Sequence, residues 1–346
     1  MSATYVRVSW NRQKRLYDTV VVAAVLAFVA TFVACGLALD PRATAETLLI
    51  RAFGACAFVL LHVVLAIGPL CRLDRRFLPL LYNRRHLGVV TFVVALAHGV
   101  FSAVQFHAFG DVSILVSLWS SNTRFDSLAH FPFQQLGFVA LSVLFVMAAT
   151  SHDFWLKTLS PRAWKTLHMG VYVAWALVVM HVAVGAFQTV VSPLLRGTLL
   201  VGTIGLAVLH GLAARAERRR DAAPQDASGT EIDVGPVESL PLDRGRTVVV
   251  RGERVALFRH AGGISAVSNV CRHQNGPLGE GRIIDGCITC PWHGYQYRPH
   301  DGTSPPPFTD RVPTYRVRVV DGRVRLDPRA LPAGTPVPPA HVGVGR

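Results

Sequence analysis

Charge is scarce in this sequence: 16% of its 346 residues are charged against 51% apolar, and the mean hydropathy is positive at +0.37. That balance excludes an ordinary soluble globular chain of this length and points to one largely embedded in a lipid bilayer. Acidic residues are the scarcer kind, 21 against 35 basic ones, for a formal net charge of +14. The excess is mostly arginine clustered between apolar runs, a signal of topology and lipid-surface contact. No basic patch is interleaved with aromatics, which argues against a nucleic-acid partner. Cysteines number 6, and they form no framework of regularly spaced pairs. Cys35, Cys56 and Cys71 lie in or beside apolar runs, whereas Cys271, Cys287 and Cys290 lie close together. Also missing is a glycine-rich dinucleotide fingerprint, so the chain cannot by itself take a hydride from a nicotinamide. No internal repeat is legible.

Apolar runs at Val20 to Leu39, Thr47 to Leu70, Leu87 to Phe106, Gln135 to Ala149, Thr166 to Gly185 and Gly197 to Ala214 predict a six-helix membrane bundle over residues 20–214. The first run follows Arg7, Arg12, Lys14 and Arg15 in a polar segment, residues 1–19. It is longer than the apolar region of a signal peptide, and more spans follow. Connections alternate in basicity. Arg72, Arg75, Arg76, Arg84 and Arg85 follow the second run and Lys157, Arg162 and Lys165 the fourth, while Arg42, Arg124 and Arg196 stand alone after the others; Arg215, Arg218, Arg219 and Arg220 follow the sixth. By the positive-inside rule both termini are expected in the cytoplasm. Val112 to Trp119, inside the long third connection, reads as a short interfacial helix on the outer side. Residues 215–233 read as a linker leaving the membrane.

Beyond it the pattern becomes short alternating strands: Arg246 to Val250, Arg254 to Arg259, Gly263 to Asn269, Tyr315 to Val320 and Arg323 to Leu326, the last two joined by an Asp321-Gly322 hairpin turn. A small all-β domain is therefore expected over residues 234–327. Residues 328–346 are rich in Pro, Gly and Ala and are expected to be a disordered tail.

Inside the β-domain stand two short hooks, Cys271-x-His273 and Cys290-x-x-His293. Structural zinc sites more often pair a two-cysteine hook with a two-histidine hook. Here each hook mixes one thiolate with one imidazole, which suits two irons, one held by sulfur and one by nitrogen. A zinc hook made by Cys287 and Cys290 is the competing reading. The stretch CPWHGYQY, with its surroundings from about Val234 to Leu326, resembles the Rieske 2Fe-2S family. High-potential members of that family carry an extra cysteine in each hook, forming a disulfide, and a serine after the second HG. This chain has Gly276, Trp292 and Tyr295 at those positions. It is thus similar to the ferredoxin and aromatic-dioxygenase branch, with a potential expected in the lower part of the roughly −150 to +300 mV Rieske range. A dioxygenase would need a mononuclear 2-His-1-carboxylate iron domain downstream, and the chain ends at Arg346, too soon after Leu326 to hold one.

Ionisable residues inside a span are functional candidates, and His62, His98, His168, His181 and His210 lie in or at the ends of spans. On a rise of about 1.5 Å per residue, His98 and His181 each lie roughly 20 Å from the cytoplasmic ends of parallel helices. A histidine pair at one depth is a competent b-type haem site. His168 lies near the cytoplasmic surface, with Arg84 or His86 as its neighbour on the other helix.

RRHLGVVTFVVALAHG (Arg84 to Gly99) and WKTLHMGVYVAWALVVMH (Trp164 to His181) resemble the ferric-reductase-like transmembrane family, which includes the NADPH oxidases, the STEAP reductases and the haem-binding membrane subunit of bacterial methionine-sulfoxide reductase. The resemblance covers about Leu48 to Ala213. It implies that His98 and His181 ligate an outer haem b, and that His168 with Arg84 serves an inner site for a second haem or for FMN. His62 and His210 stay outside the motif. A Rieske domain stands where the oxidases carry flavin and nicotinamide domains. The resulting expectation is a multi-pass protein of the bacterial cytoplasmic membrane with its Rieske domain in the cytoplasm. It would pass single electrons from a cytosolic donor, such as a ferredoxin reductase, through haem to an acceptor at the outer face. The alternative is a membrane-anchored Rieske ferredoxin, without haem, that feeds a cytosolic oxygenase.

Overall fold

The computed structural model describes residues 12–128, 130–151, 155, 161–188, 193–221, 231–273, 276–292, 294–306 and 308–341. The chain divides into two compact units, Met1–Ala66 with Asn83–Asp153 and Leu167–Val208, and Ile67–Tyr82 with Phe154–Thr166 and Leu209–Arg346.

In a bilayer every backbone N–H and C=O must be satisfied inside its own segment, so the apolar runs become helices. They are α1 (Arg12–Leu39), α2 (Ala45–Leu73), α3 (Arg84–His107), α4 (Ile114–Ser120), α5 (Phe133–Ala149), α6 (Pro161–His168), α7 (Gly170–Gln188) and α8 (Pro193–Asp221). Among the described residues five stretches are long and apolar enough to cross a membrane: Arg15–Leu39, Ala45–Leu73, Arg84–His107, Thr166–Gly185 and Arg196–Arg219. The expectation of six such helices is corrected here. The fourth run is α5, only 17 residues long, closed by Pro132 before it and by Thr150 after it, whose hydroxyl turns back to Val146 O at 2.7 Å. The expected interfacial helix is α4, capped by the Ser113 hydroxyl, which accepts from Val116 N–H.

The core of the helical unit is small: Leu61, Leu65, Leu144, Val171, Ala174 and Leu206 close against one another. Large apolar side chains elsewhere, such as Leu26, Val100, Val173 and Val201, point outward. That inside-out balance suits helices whose solvent is lipid, where close approach of backbones replaces the hydrophobic drive. At Gly99 of α3 the missing Cβ lets the Leu141 side chain of α5 pack onto the helix, since a Cβ there would meet Leu141 Cδ2 at 2.8 Å.

The second unit carries the β-domain. Among the described residues its strands are β1 (Ile232–Pro236), β2 (Gly245–Val250), β3 (Glu253–His260), β4 (Gly263–Ser268), β5 (Arg282–Ile284), β6 (Cys287–Thr289), β7 (Gln296–Tyr297), β8 (Thr314–Tyr315), β9 (Val317–Val320) and β10 (Arg323–Leu326). They form sheets in the orders β2-β3-β4-β8, β1-β10-β9 and β5-β6-β7. The hairpins turn on Arg251-Gly252, Asp285-Gly286 and Asp321-Gly322, all with positive φ, the twist-matched geometry of two-residue loops. One core lies under the first two sheets, around Leu257, Ile264, Tyr315 and Leu326. A second lies beneath the Cys/His hooks, around Phe258, Leu278, Ile288 and Tyr297.

Two boundaries differ from expectation. Helix α8 runs to Asp221 rather than ending at Ala214, because the Ala, Arg and Glu of that segment are good helix formers despite their polarity. Its Glu217 pairs with Arg254 of β3 at 2.6 Å. The tail expected to be disordered is instead bound to the β-domain as far as His341. Leu331 N–H donates to Thr314 O, Val337 N–H to His300 O, and Ala340 exchanges both backbone bonds with Ile264. The tail's prolines have no N–H to leave unsatisfied, so an extended edge segment suits them. Residues 342–346 lie outside the described residues.

Candidate redox sites

The first hook leaves β4 and folds back, with Cys271 N–H donating to Gly276 O at 2.9 Å. The second leaves β6 and closes similarly: Cys290 N–H donates to Tyr295 O at 2.8 Å and Gly294 N–H to Cys290 O at 2.9 Å. Gly294 takes φ +70, which only a residue without Cβ adopts freely. Both cysteines are 1% exposed and share one buried cluster with Leu278, Ile288 and Tyr295. The hooks meet at Gly276, where a Cβ would come within 2.6 Å of Cys290 Sγ and 3.3 Å of the Trp292 ring. His273 lies flat on Tyr295, ring centroids 4.8 Å apart and planes at 7°. Cys271, Cys290 and His273 are thus gathered around one aromatic floor; His293 lies outside the described residues.

Two tyrosines beneath the hooks do work that sequence reasoning missed. Tyr297, fully buried, has its hydroxyl 3.4 Å from Cys271 Sγ and accepts the Arg272 N–H at 2.9 Å. Burial first, and then the neighbouring Cys271, push its pKa far up, so it keeps its proton, which it can offer to a thiolate at Cys271. Tyr295, at the position of the high-potential serine, is committed elsewhere. Its hydroxyl donates to the Asp310 carboxylate, and its pKa is raised by burial and then by that bond. The signal for Tyr297 was present, a second tyrosine closing CPWHGYQY, but nothing in the linear pattern says which sulfur it reaches. Cys287 sits in β6 opposite Ile284. Burial, its largest cause, raises its thiol pKa.

In the helical unit, His98 of α3 and His181 of α7 face each other with ring centroids 6.2 Å apart. Each is oriented by a backbone carbonyl of another helix, Ile50 in α2 and Phe133 at the start of α5. His98 Nδ1 lies 2.9 Å from Ile50 O and His181 Nδ1 2.7 Å from Phe133 O. A carbonyl only accepts, so Nδ1 carries the proton in both rings and Nε2 keeps its lone pair. The other histidines differ. His62 uses both nitrogens, Nδ1 with Phe58 O at 2.8 Å and Nε2 accepting from Trp175 Nε1 at 3.1 Å, which marks it as a packing residue. His168, half-buried at the end of α6, has Nε2 3.5 Å from Ser151 Oγ. His86 pairs with Asp18 at 3.1 Å, and Arg84 opens α3 half-buried.

Known proteins match both parts of the chain. The Rieske [2Fe-2S] domain family matches residues 230–316, and the ferric reductase like transmembrane component family matches residues 51–179. The anthranilate 1,2-dioxygenase ferredoxin subunit of Burkholderia cepacia is 30% identical over 95 residues, 27% of this chain and 88% of that protein. The protein-methionine-sulfoxide reductase heme-binding subunit MsrQ of Xanthomonas campestris pv. campestris (strain B100) is 31% identical over 192 residues, 56% of this chain and 81% of that protein. Among solved structures, the ferredoxin of carbazole 1,9a-dioxygenase from Nocardioides aromaticivorans IC177 covers 29% of this chain at 24% identity and a TM-score of 0.28. A Rieske domain supports a 2Fe-2S cluster, and the helices make the protein multi-pass. The chain is a membrane electron-transfer protein that belongs to the ferric-reductase-like transmembrane family and carries a C-terminal Rieske [2Fe-2S] domain.

Proposed function

We propose that this protein passes single electrons between a Rieske cluster held by Cys271, His273, Cys290 and His293 and b-type haem held by His98 and His181. The observation that carries the reading is the facing pair His98 and His181, each with Nδ1–H tied to a carbonyl and Nε2 left for a metal. The ring centroids lie 6.2 Å apart, and His98 and His181 would hold the haem iron through Nε2. Second-shell bonds of this kind fix the tautomer and ring orientation of metal-ligating histidines. The relative named as heme-binding supports the same group here. When bound, cluster and haem each supply a one-electron couple. The protein's own residues bury the cysteines, orient the imidazoles and donate a hydrogen bond from Tyr297 to Cys271.

The arginine-rich connections support a cytoplasmic Rieske domain in a bacterial inner membrane. The direction, from a cytosolic donor such as a ferredoxin reductase to an acceptor at the outer face, follows by analogy with the reductases. His168 with Arg84 belongs to an inner site for a second haem or FMN. In domain terms, residues 1–19 lie in the cytoplasm, 20–214 form the membrane domain and 234–327 the Rieske domain.

An anaerobic reductive titration of the purified protein tests this, followed optically and by EPR. The expected result is a b-type Soret band and a Rieske signal in one preparation, with the haem oxidising the reduced cluster. Iron and acid-labile sulfide without protohaem would instead identify an anchored ferredoxin feeding an oxygenase. Cluster tuning gives a second measurement. A hydrogen bond to a charged sulfur is worth about 1.5 kcal/mol, roughly 60 mV for a one-electron couple. Tyr297→Phe should therefore lower the Rieske midpoint potential by about that amount, and an unchanged potential would remove Tyr297 from the tuning.

A further inference from the structure

The two haem-facing histidines sit in matching cradles. In each, a carbonyl accepts from the Nδ1–H of a histidine 48 residues later, Ile50 from His98 and Phe133 from His181. One helical turn after each carbonyl residue comes a glycine, Gly54 in α2 and Gly137 in α5, on which the imidazole lies. A Cβ at Gly54 would stand 3.0 Å from His98 Cε1 and Nδ1, and one at Gly137 2.9 Å from the same atoms of His181.

The offset that carries Ile50, Gly54 and His98 onto Phe133, Gly137 and His181 carries other contacts too. It takes Leu61 onto Leu144, both in the buried core, and Thr91, 2% exposed, onto Ala174, 0% exposed. It takes the ring pair His62–Trp175, 6.2 Å apart between α2 and α7, onto Phe145–Phe92, 5.8 Å apart between α5 and α3. A contact between hairpins that maps onto its counterpart with the hairpins exchanged is the signature of a two-fold axis between them. Repeats related by an axis along the membrane normal are a known way to build a site at the repeat interface.

We propose that α2–α3 and α5–α7 are two copies of one helix-hairpin unit related by a pseudo-two-fold axis, and that Gly54 and Gly137 are its equivalent positioning residues, seating His98 and His181. The inference rests on the haem-ligand reading of those histidines and goes beyond it. Helix backbone can approach the ring edge only where Cβ is absent. A methyl there pushes the ring off its carbonyl and turns Nε2 from its aim.

Gly54→Ala and Gly137→Ala test this, with Gly88→Ala and Gly205→Ala as controls, since a Cβ at either of those positions meets nothing within 4 Å. Haem per chain and the EPR g-values of the oxidised haem are read, with the Rieske signal of the same chain as internal standard for folding. Both cradle variants should lose haem severalfold faster on dilution and shift the g-values in the same sense, while the controls match wild type. Wild-type g-values and retention in both cradle variants would overturn the positioning role, and a change in only one would overturn the equivalence. Should neither variant fold, histidine 15N NMR of the reduced wild-type protein decides: two rings with matching Nδ1–H shifts support the repeat, and unlike tautomers overturn it. If His98→Ala loses haem while the glycine variants do not change, the ligand reading stands and this inference alone falls. A wild-type protein without haem overturns both.

Discussion

The His98→Ala, His181→Ala double variant is expected to lose its b-type Soret absorbance entirely while keeping a full Rieske EPR signal. The two imidazoles face each other at 6.2 Å and each is aimed by one backbone carbonyl. Removing both rings takes away both Nε2 lone pairs, the groups that would hold the haem iron. Each single variant leaves one aimed imidazole, so partial occupancy with a shifted Soret maximum is expected there. The two substitutions should therefore be strongly non-additive, as for residues acting on one bound group. The cysteines at the hooks lie in a separate buried cluster, so cluster content should be indifferent to these changes. Normal haem content in the double variant, measured as pyridine haemochrome per chain, would defeat the assignment. The reverse outcome for His62→Ala is equally informative. That ring spends both nitrogens on Phe58 and Trp175, so haem content should hold and only thermal stability should fall.

The second large effect is on the cluster: Cys290→Ala should abolish the Rieske signal and leave haem content intact. Cys290 is 1% exposed, its amide is tied to Tyr295 O, and its sulfur lies against Gly276. Because binding of a metal group is also folding free energy, the domain should melt earlier. A loss of about 2 kcal/mol lowers the Tm of a domain of this size by about 8–16 °C. Acid-labile sulfide at wild-type levels in Cys290→Ala would exclude the cysteine as a ligand.

Much of this was legible in the linear chain. Apolar runs of bilayer length, alternation of arginine between them and the mixed Cys/His hooks each arise from contacts between near neighbours or from solvent preference. Local rules therefore placed the helices and the β-domain, down to the Asp321-Gly322 turn. What failed was also local in kind. Polar composition predicts an end of α8 at Ala214, although helix propensity carries it to Asp221. Proline and glycine predict disorder in a tail that pairs with Thr314, His300 and Ile264.

By itself the sequence determined the membrane class and the Rieske domain, and it nominated the histidines for test, because ligand chemistry and hydropathy are properties of residue types. Only the tertiary structure decided how those histidines are aimed. The carbonyls that receive Nδ1–H lie 48 residues away in sequence, and a carbonyl is the same whether the residue is Ile50 or Phe133. Besides the glycine and the histidine, what persists between the two hairpins is common apolar residues such as Leu61 and Leu144, too little for a repeat to be read linearly. Backbone hydrogen bonds and the space left by a missing Cβ have no side-chain letter, and they become visible only when the helices are packed.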